Sequence, residues 1–246
     1  MVVSLIALFC IFASAVGGMI AKEFLPEHFL SEESKTIIKA ARSVVIGLAA
    51  LTLGLLIATA KGSFDGKELQ LKEGTAKMIV LNRLLLKYGN KSDAARNALR
   101  QVAIAGISII EETSKGRPVK EAKGEGIDDL TVKLMELPEQ NAAQTWLKNA
   151  ALSLGNEVAI SRWKIYQSTS STISPLFLAV LVFWLMTIFF SLGLIAPANA
   201  AVLSALFMAA LSMTGAILLT LELDQPYDGM IQMSVEPLKM ALQQFR

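Results

Sequence analysis

The chain is short of the residue types that most catalytic and metal sites need: it has one cysteine, one histidine, and only 18% charged residues among 246. A lone Cys10 excludes an intramolecular disulfide and a cysteine metal site. There is no nucleophile motif, no glycine-rich phosphate loop and no His-Glu-x-x-His spacing, so no enzyme activity is expected and no cofactor is implied. The formal net charge is only +2, with basic residues interleaved with acids. Without a dense Lys/Arg stripe, nucleic acid is not an expected partner. No segment carries a convincing strand pattern.

What the chain has in quantity is apolar surface: 53% of its residues are hydrophobic. The mean hydropathy of +0.51 is above that of an average soluble domain. The excess is concentrated in four runs: about 2–21, about 44–60, about 175–195 and about 199–221. Each is roughly 17 to 23 residues, near the length that crosses a hydrocarbon core, and none contains Asp, Glu, Lys, Arg or His. Ala13-Ser14-Ala15 resembles the small-residue cleavage site of a secretory leader. The absence of a positive n-region and the continuation of the apolar run to Ala21 favour a membrane helix instead. The expected fold is therefore an all-α integral membrane protein with four transmembrane helices in two hairpins. Residues 1–60 form the first hairpin, 61–174 a helical cytosolic domain, 175–221 the second hairpin and 222–246 a cytosolic C-terminal segment.

Local signals fill in the rest. Ser31-Glu32-Glu33-Ser34, in the loop 22–43, reads as a helix start with acids in its first turn. Ala196-Pro197-Ala198 allows only a tight connection, with Asn199 as N-cap of the fourth helix and Ser174-Pro175 as cap and first residue of the third. In the middle segment, Leu71, Thr75, Met78, Leu81, Leu85 and Tyr88 recur at helical spacing and Gly89 stops the helix. A second helix starts at Ser92, 114–126 is a connector, and helix resumes near Ile127 and again after Pro138. Trp146 and Trp163 read as core or interface packing. Four of the 23 Lys and Arg residues, Lys22, Lys35, Lys39 and Arg42, lie between the first two runs; the rest fall on the side of the middle segment. Counted near the membrane ends, this asymmetry puts both termini and the middle domain in the cytoplasm.

The second run carries the clearest functional pattern. On a 3.5-residue stripe it places Val45, Leu48, Thr52, Leu55 and Thr59 on one face, with Lys61 at the end and Gly47, Ala50, Gly54 and Ala58 alongside. In a symmetric ring, leucine constrictions separated by hydroxyl rings would line a pore; in ordinary packing the threonines would bond back to their own helix. Arg42 and Lys61 bracket this run, either as anchors of the helix ends or as charges that concentrate anions at pore mouths. The first run offers Cys10, Ser14 and Gly18, and the fourth Ala201, Ala205 and Ala209, as close-packing stripes. The third run, with Phe177, Phe183, Trp184, Phe189 and Phe190, is expected toward lipid. After the fourth, Glu222, Asp224 and Asp228 supply oxygen ligands for a hard cation, or a solvated turn. His28 is the one candidate pH-sensing side chain, against a plain surface role.

Several strings resemble the bacterial bestrophin-like membrane family: 25–34 (LPEHFLSEES), 55–65 (LLIATAKGSFD), 81–89 (LNRLLLKYG), 221–229 (LELDQPYDG) and 234–238 (SVEPL). The resemblance spans nearly the whole chain. Its distant similarity to bestrophin channels implies two membrane hairpins around a cytosolic helical region and a pentamer in a bacterial inner membrane. It also implies a pore lined by the second helix that passes small inorganic ions. Two features depart from those channels: the acidic segment at Glu222, Asp224 and Asp228 is thin, and the second helix lacks aromatic constriction residues. A non-conducting scaffold or signalling protein, whose middle helices bind a partner, fits the same layout. A transporter fits less well, since no intramembrane charge or broken helix marks a substrate site.

Overall fold

The fold comes from a computed structural model, which describes residues 2–26, 31–114, 125–167, 173–224 and 233–245. Among these, all regular structure is helical: α1 (Val2–Phe24), α2 (Glu32–Tyr88), α3 (Asp93–Ser114), α4 (Glu125–Met135), α5 (Ala142–Gln167), α6 (Pro175–Ile195), α7 (Ala200–Asp224) and α8 (Glu236–Gln243). Four of them, α1, α2, α6 and α7, are long and apolar enough to cross a membrane. The chain divides into a membrane unit, 1–63 with 172–224, and a polar unit, 64–171 with 225–246.

The main departure from the sequence reading is α2. A composition change after Lys61 looked like the end of one helix, yet the backbone stays helical without interruption from Glu32 to Tyr88. Gly62 and Gly66 weaken a helix only modestly, neither takes the positive φ with which glycine ends one, and 62–66 holds no proline. The loop between the first two apolar runs is correspondingly short. Lys22 and Phe24 extend α1, and Ser31 caps α2, its Oγ accepting the Ser34 N–H at 3.3 Å. Glu32 and Glu33 then face the positive end of the helix.

Within the membrane unit α1 packs closely on α6. In lipid there is no hydrophobic force between helices, so association depends on close approach and dense van der Waals contact. Ser4, Ala7, Ile11, Ala15 and Gly18 form the buried line of α1; Leu181, Leu185, Ile188, Phe189 and Gly193 form that of α6. Gly18 lies against the Phe190 and Leu194 backbone, and Gly193 against that of Ala15 and Met19. Lys22 Nζ donates to the Ala196 carbonyl at 3.1 Å, satisfying an orphan acceptor at the end of α6. α7 joins α1 through an edge-to-face contact of Phe12 and Phe207, ring centroids 5.3 Å apart.

Gly18 is buried, whereas Cys10 and Ser14 are only half-buried, and Ala201, Ala205 and Ala209 of α7 face outward. The inner face of α7 is instead Leu206, Ala210, Thr214 and Ile217. Phe177, Phe183 and Phe190 are exposed as expected, but Phe189 is buried. Asn199 caps α7 by accepting the Val202 N–H at 2.8 Å. Ser174 holds the cap position of α6 but makes no side-chain cap bond, leaving Pro175 and a backbone bond from Phe177 N to the Ser174 carbonyl to start the helix.

In the polar unit, Leu71, Leu81, Leu85, Leu99, Val102, Leu130, Leu134 and Val158 make the core, joined by Leu238, Ala241 and Phe245. Gly89 has φ 98°, a backbone conformation that favours glycine, and it ends α2 as the sequence predicts. The buried Ser92 hydroxyl donates to the Leu85 and Gly89 carbonyls, fixing the turn into α3. Asn82 holds the C-terminal segment, donating to the Gln244 carbonyl at 3.1 Å while accepting from Arg96 Nε. Trp146 and Trp163 are 65% and 59% exposed, so neither belongs to the core of the chain.

Candidate ion pathway along the second helix

α2 is the least covered of the four apolar helices; within the chain only Ala49, Leu56 and Ala60 are buried along its apolar stretch. These three define the side that meets the rest of the chain. At 3.6 residues per turn, the stripe of Val45, Leu48, Thr52, Leu55 and Thr59 is centred about 80° around the helix from that side. Val45 and Thr52 are half-buried, on the near edge of the stripe. Leu48 and Leu55 are 47% and 65% exposed, and Thr59 and Lys61 are exposed as well. The stripe is thus one surface with Val45 and Thr52 on its inner edge and the two leucines on its outer edge.

Gly47, Ala50, Gly54 and Ala58 are also exposed and lie roughly opposite the buried line. A methyl group added at Gly47 or Gly54 would meet no atom within 4 Å. Among the described residues, the glycine and alanine face is thus open, and the stripe is open along its outer edge. Chemically, the stretch can offer threonine hydroxyls to a partly dehydrated ion and leucine methyls that exclude water, with no fixed charge.

The acidic candidates at the end of α7 separate. Asp224 is 2% exposed, and its Oδ2 accepts the Ile173 N–H at 3.3 Å, which ties the approach to α6 to the end of α7. Glu222 is half-buried two residues away, about 200° around the helix, and so points elsewhere. No three His, Cys, Asp or Glu side chains come together among the described residues. Asp228 and His28, like Pro226 and Tyr227, lie outside the described residues. Sequence reasoning missed the structural role of Asp224, since its amide partner is distant in the chain.

The Bestrophin-like domain family matches residues 7–238. No curated protein matches the chain. Among solved structures, a variant of a bacterial bestrophin homologue from Klebsiella pneumoniae is similar at 10% identity and a TM-score of 0.67, covering 98% of this chain and 97% of that one. A second variant of that homologue gives a TM-score of 0.63 at the same identity and coverage. A structure described as a membrane protein is 11% identical with a TM-score of 0.67, covering 98% and 96%. The match of the family over nearly the whole chain, on a fold shared with the Klebsiella homologue, makes this chain a member of the Bestrophin-like family.

Proposed function

We propose that the chain is the subunit of a cyclic homo-oligomeric ion channel, a pentamer by family resemblance, in which the apolar part of α2 lines the central axis. The observation that carries this reading is the uncovered state of the apolar stretch of α2, which has no charged residue and two largely exposed faces of different character. The glycine and alanine face suits close approach of a neighbouring copy, and the leucine and threonine stripe suits an axis. Leu48 and Leu55 then form dewetting constrictions, Val45, Thr52 and Thr59 lie between and beyond them, and Lys61 stands at the cytoplasmic mouth.

A second exposed line supports assembly. On α5, Trp146, Asn149, Ser153, Asn156, Ile160 and Trp163 are all exposed at alternating three- and four-residue spacing, the period of a helix that packs along another. The same line favours the scaffold reading if its partner is a different protein. In the channel reading both termini and the polar unit are cytoplasmic, the membrane is the bacterial inner membrane, and the chemistry is passage of small inorganic ions rather than catalysis. Purified protein in a planar bilayer should give unitary currents and, by native mass spectrometry in mild detergent, a ring-sized oligomer. A monomer without currents would transfer the case to the scaffold.

A further inference from the structure

The polar unit holds a cavity of about 180 Å³ between α2 and α5, lined by Gln70, Glu73, Lys77, Glu157, Ile160, Ser161 and Lys164. A water molecule occupies about 30 Å³ of liquid, so the space is large enough for a small organic solute. The two helices run antiparallel here: Gly74 meets Ser161, and Lys77, one turn further along α2, pairs with Glu157, one turn back along α5, at 3.1 Å. A methyl group at Gly74 would lie 3.3 Å from Ser161 Cβ, so the backbones already approach closely beside the cavity and cannot close it further without strain. The Lys77–Glu157 pair fixes one wall, and the Ser161 hydroxyl donates to the Glu157 carbonyl at 2.9 Å, leaving its lone pairs as acceptors.

Three groups in this cavity have chemistry left over. The Gln70 Oε1 is buried and accepts no hydrogen bond, although buried carbonyl oxygens are almost always paired. Glu73 and Lys164 carry opposite charges and form no ion pair with each other or with another described residue, although the helix register puts them about one turn apart. The cavity therefore presents an acceptor and a carboxylate on α2 and an ammonium on α5. We propose that it binds a small zwitterion of the α-amino acid type. The ligand ammonium donates to Gln70 Oε1 and the Glu73 carboxylate, and its carboxylate accepts from Lys164. Because every group belongs to the polar unit, the site stands whether or not the chain conducts, and a ligand bridging α2 and α5 would stiffen the helix that continues into the membrane unit.

The test is isothermal titration of the full-length detergent-solubilised protein with L-alanine, alongside acetate and methylammonium. Saturable alanine binding is expected, weakened roughly tenfold or more by Glu73→Gln and by Lys164→Met, each of which removes a charge-assisted contact. Lys72→Gln, outside the cavity, should bind as the unchanged protein does. Acetate and methylammonium, each holding half of the recognition, should bind at least roughly tenfold more weakly than alanine. Both altered side chains are at the surface, and an unchanged elution volume on size exclusion verifies folding. Absence of saturable alanine binding, or equal binding by Glu73→Gln and Lys164→Met, would overturn the proposal and leave the cavity a solvent pocket.

Discussion

Replacing Gly193 by alanine tests the packing of the membrane unit at its tightest point. The added Cβ would overlie the Ala15 carbonyl oxygen and sit 2.9 Å from the Ala15 carbonyl carbon and 3.1 Å from Met19 N. These are backbone atoms of a regular helix, so no side chain can swing aside. A carbon meets an oxygen comfortably at about 3.3 to 3.6 Å, which requires α1 and α6 to separate by about an ångström. Overpacking of that kind costs about 1 to 3 kcal/mol, and a gap of that size forfeits a quarter to a half of the dispersion energy along the whole interface. We expect the upper end, about 3 kcal/mol, for Gly193→Ala and a similar loss for Gly18→Ala, whose Cβ would meet Phe190 and Leu194 backbone. At about 2 to 4 °C per kcal/mol for a chain of this size, the midpoint of thermal unfolding in detergent should fall by about 6 to 12 °C. Gly17→Ala is the matched control: nothing lies within 4 Å of its added methyl, so its change should stay within about 1 kcal/mol, in the direction that favours the helix. Equal midpoints for Gly193→Ala and Gly17→Ala would refute the close α1–α6 contact.

Three further outcomes follow from particular contacts. Asp224→Ala should lower stability by about 1 to 3 kcal/mol, because it removes the acceptor of the buried Ile173 N–H bond, while Asp224→Asn should cost less; thermal unfolding in detergent distinguishes them. The hydrogen bond from Lys148, with a second from Thr145, holds the Glu139 carboxyl below its ordinary value of 4.5. Its stabilising contribution is therefore complete above that value and lost as pH falls through the lower folded-state value, so the stability difference between the unchanged protein and Glu139→Gln should shrink on acidification. With Cys10 replaced by alanine, a cysteine at Ser31 should react with an impermeant maleimide in intact cells and one at Gln140 should not; the opposite pattern would invert the proposed orientation.

Much of this architecture was legible because membrane crossing is written in length and composition. Four uncharged runs became the four apolar helices, Gly89 stops α2, and Asn199 caps α7. What periodicity leaves open is the direction each helix faces. α6 is apolar all round, so Phe189 could not be distinguished from Phe183, and a helix without a polar side carries no amphipathic signal to orient it. The α1–α6 pairing depends on Gly18 meeting residues far along the chain, and small-residue spacing singles out equally well the outward-facing Ala201, Ala205 and Ala209. The continuity of α2 was hidden by a change of solvent, from lipid to water, that alters side chains without altering the backbone. For the proposed pathway residues, the structure shows that Leu48 and Leu55 are exposed within the chain, and what they meet is a matter of assembly.

That matter is decided most directly by single-channel recording of Leu55→Ser and Leu48→Ser beside Phe183→Ser, an exposed residue of α6. A leucine ring excludes water because an ion there loses hydration without gaining ligands, and serine restores a hydrogen-bonding wall. The channel account predicts larger unitary conductance or leak for both α2 variants and an unchanged conductance for Phe183→Ser. Conductance at background for all three proteins in a well-folded oligomer would contradict an axis lined by α2.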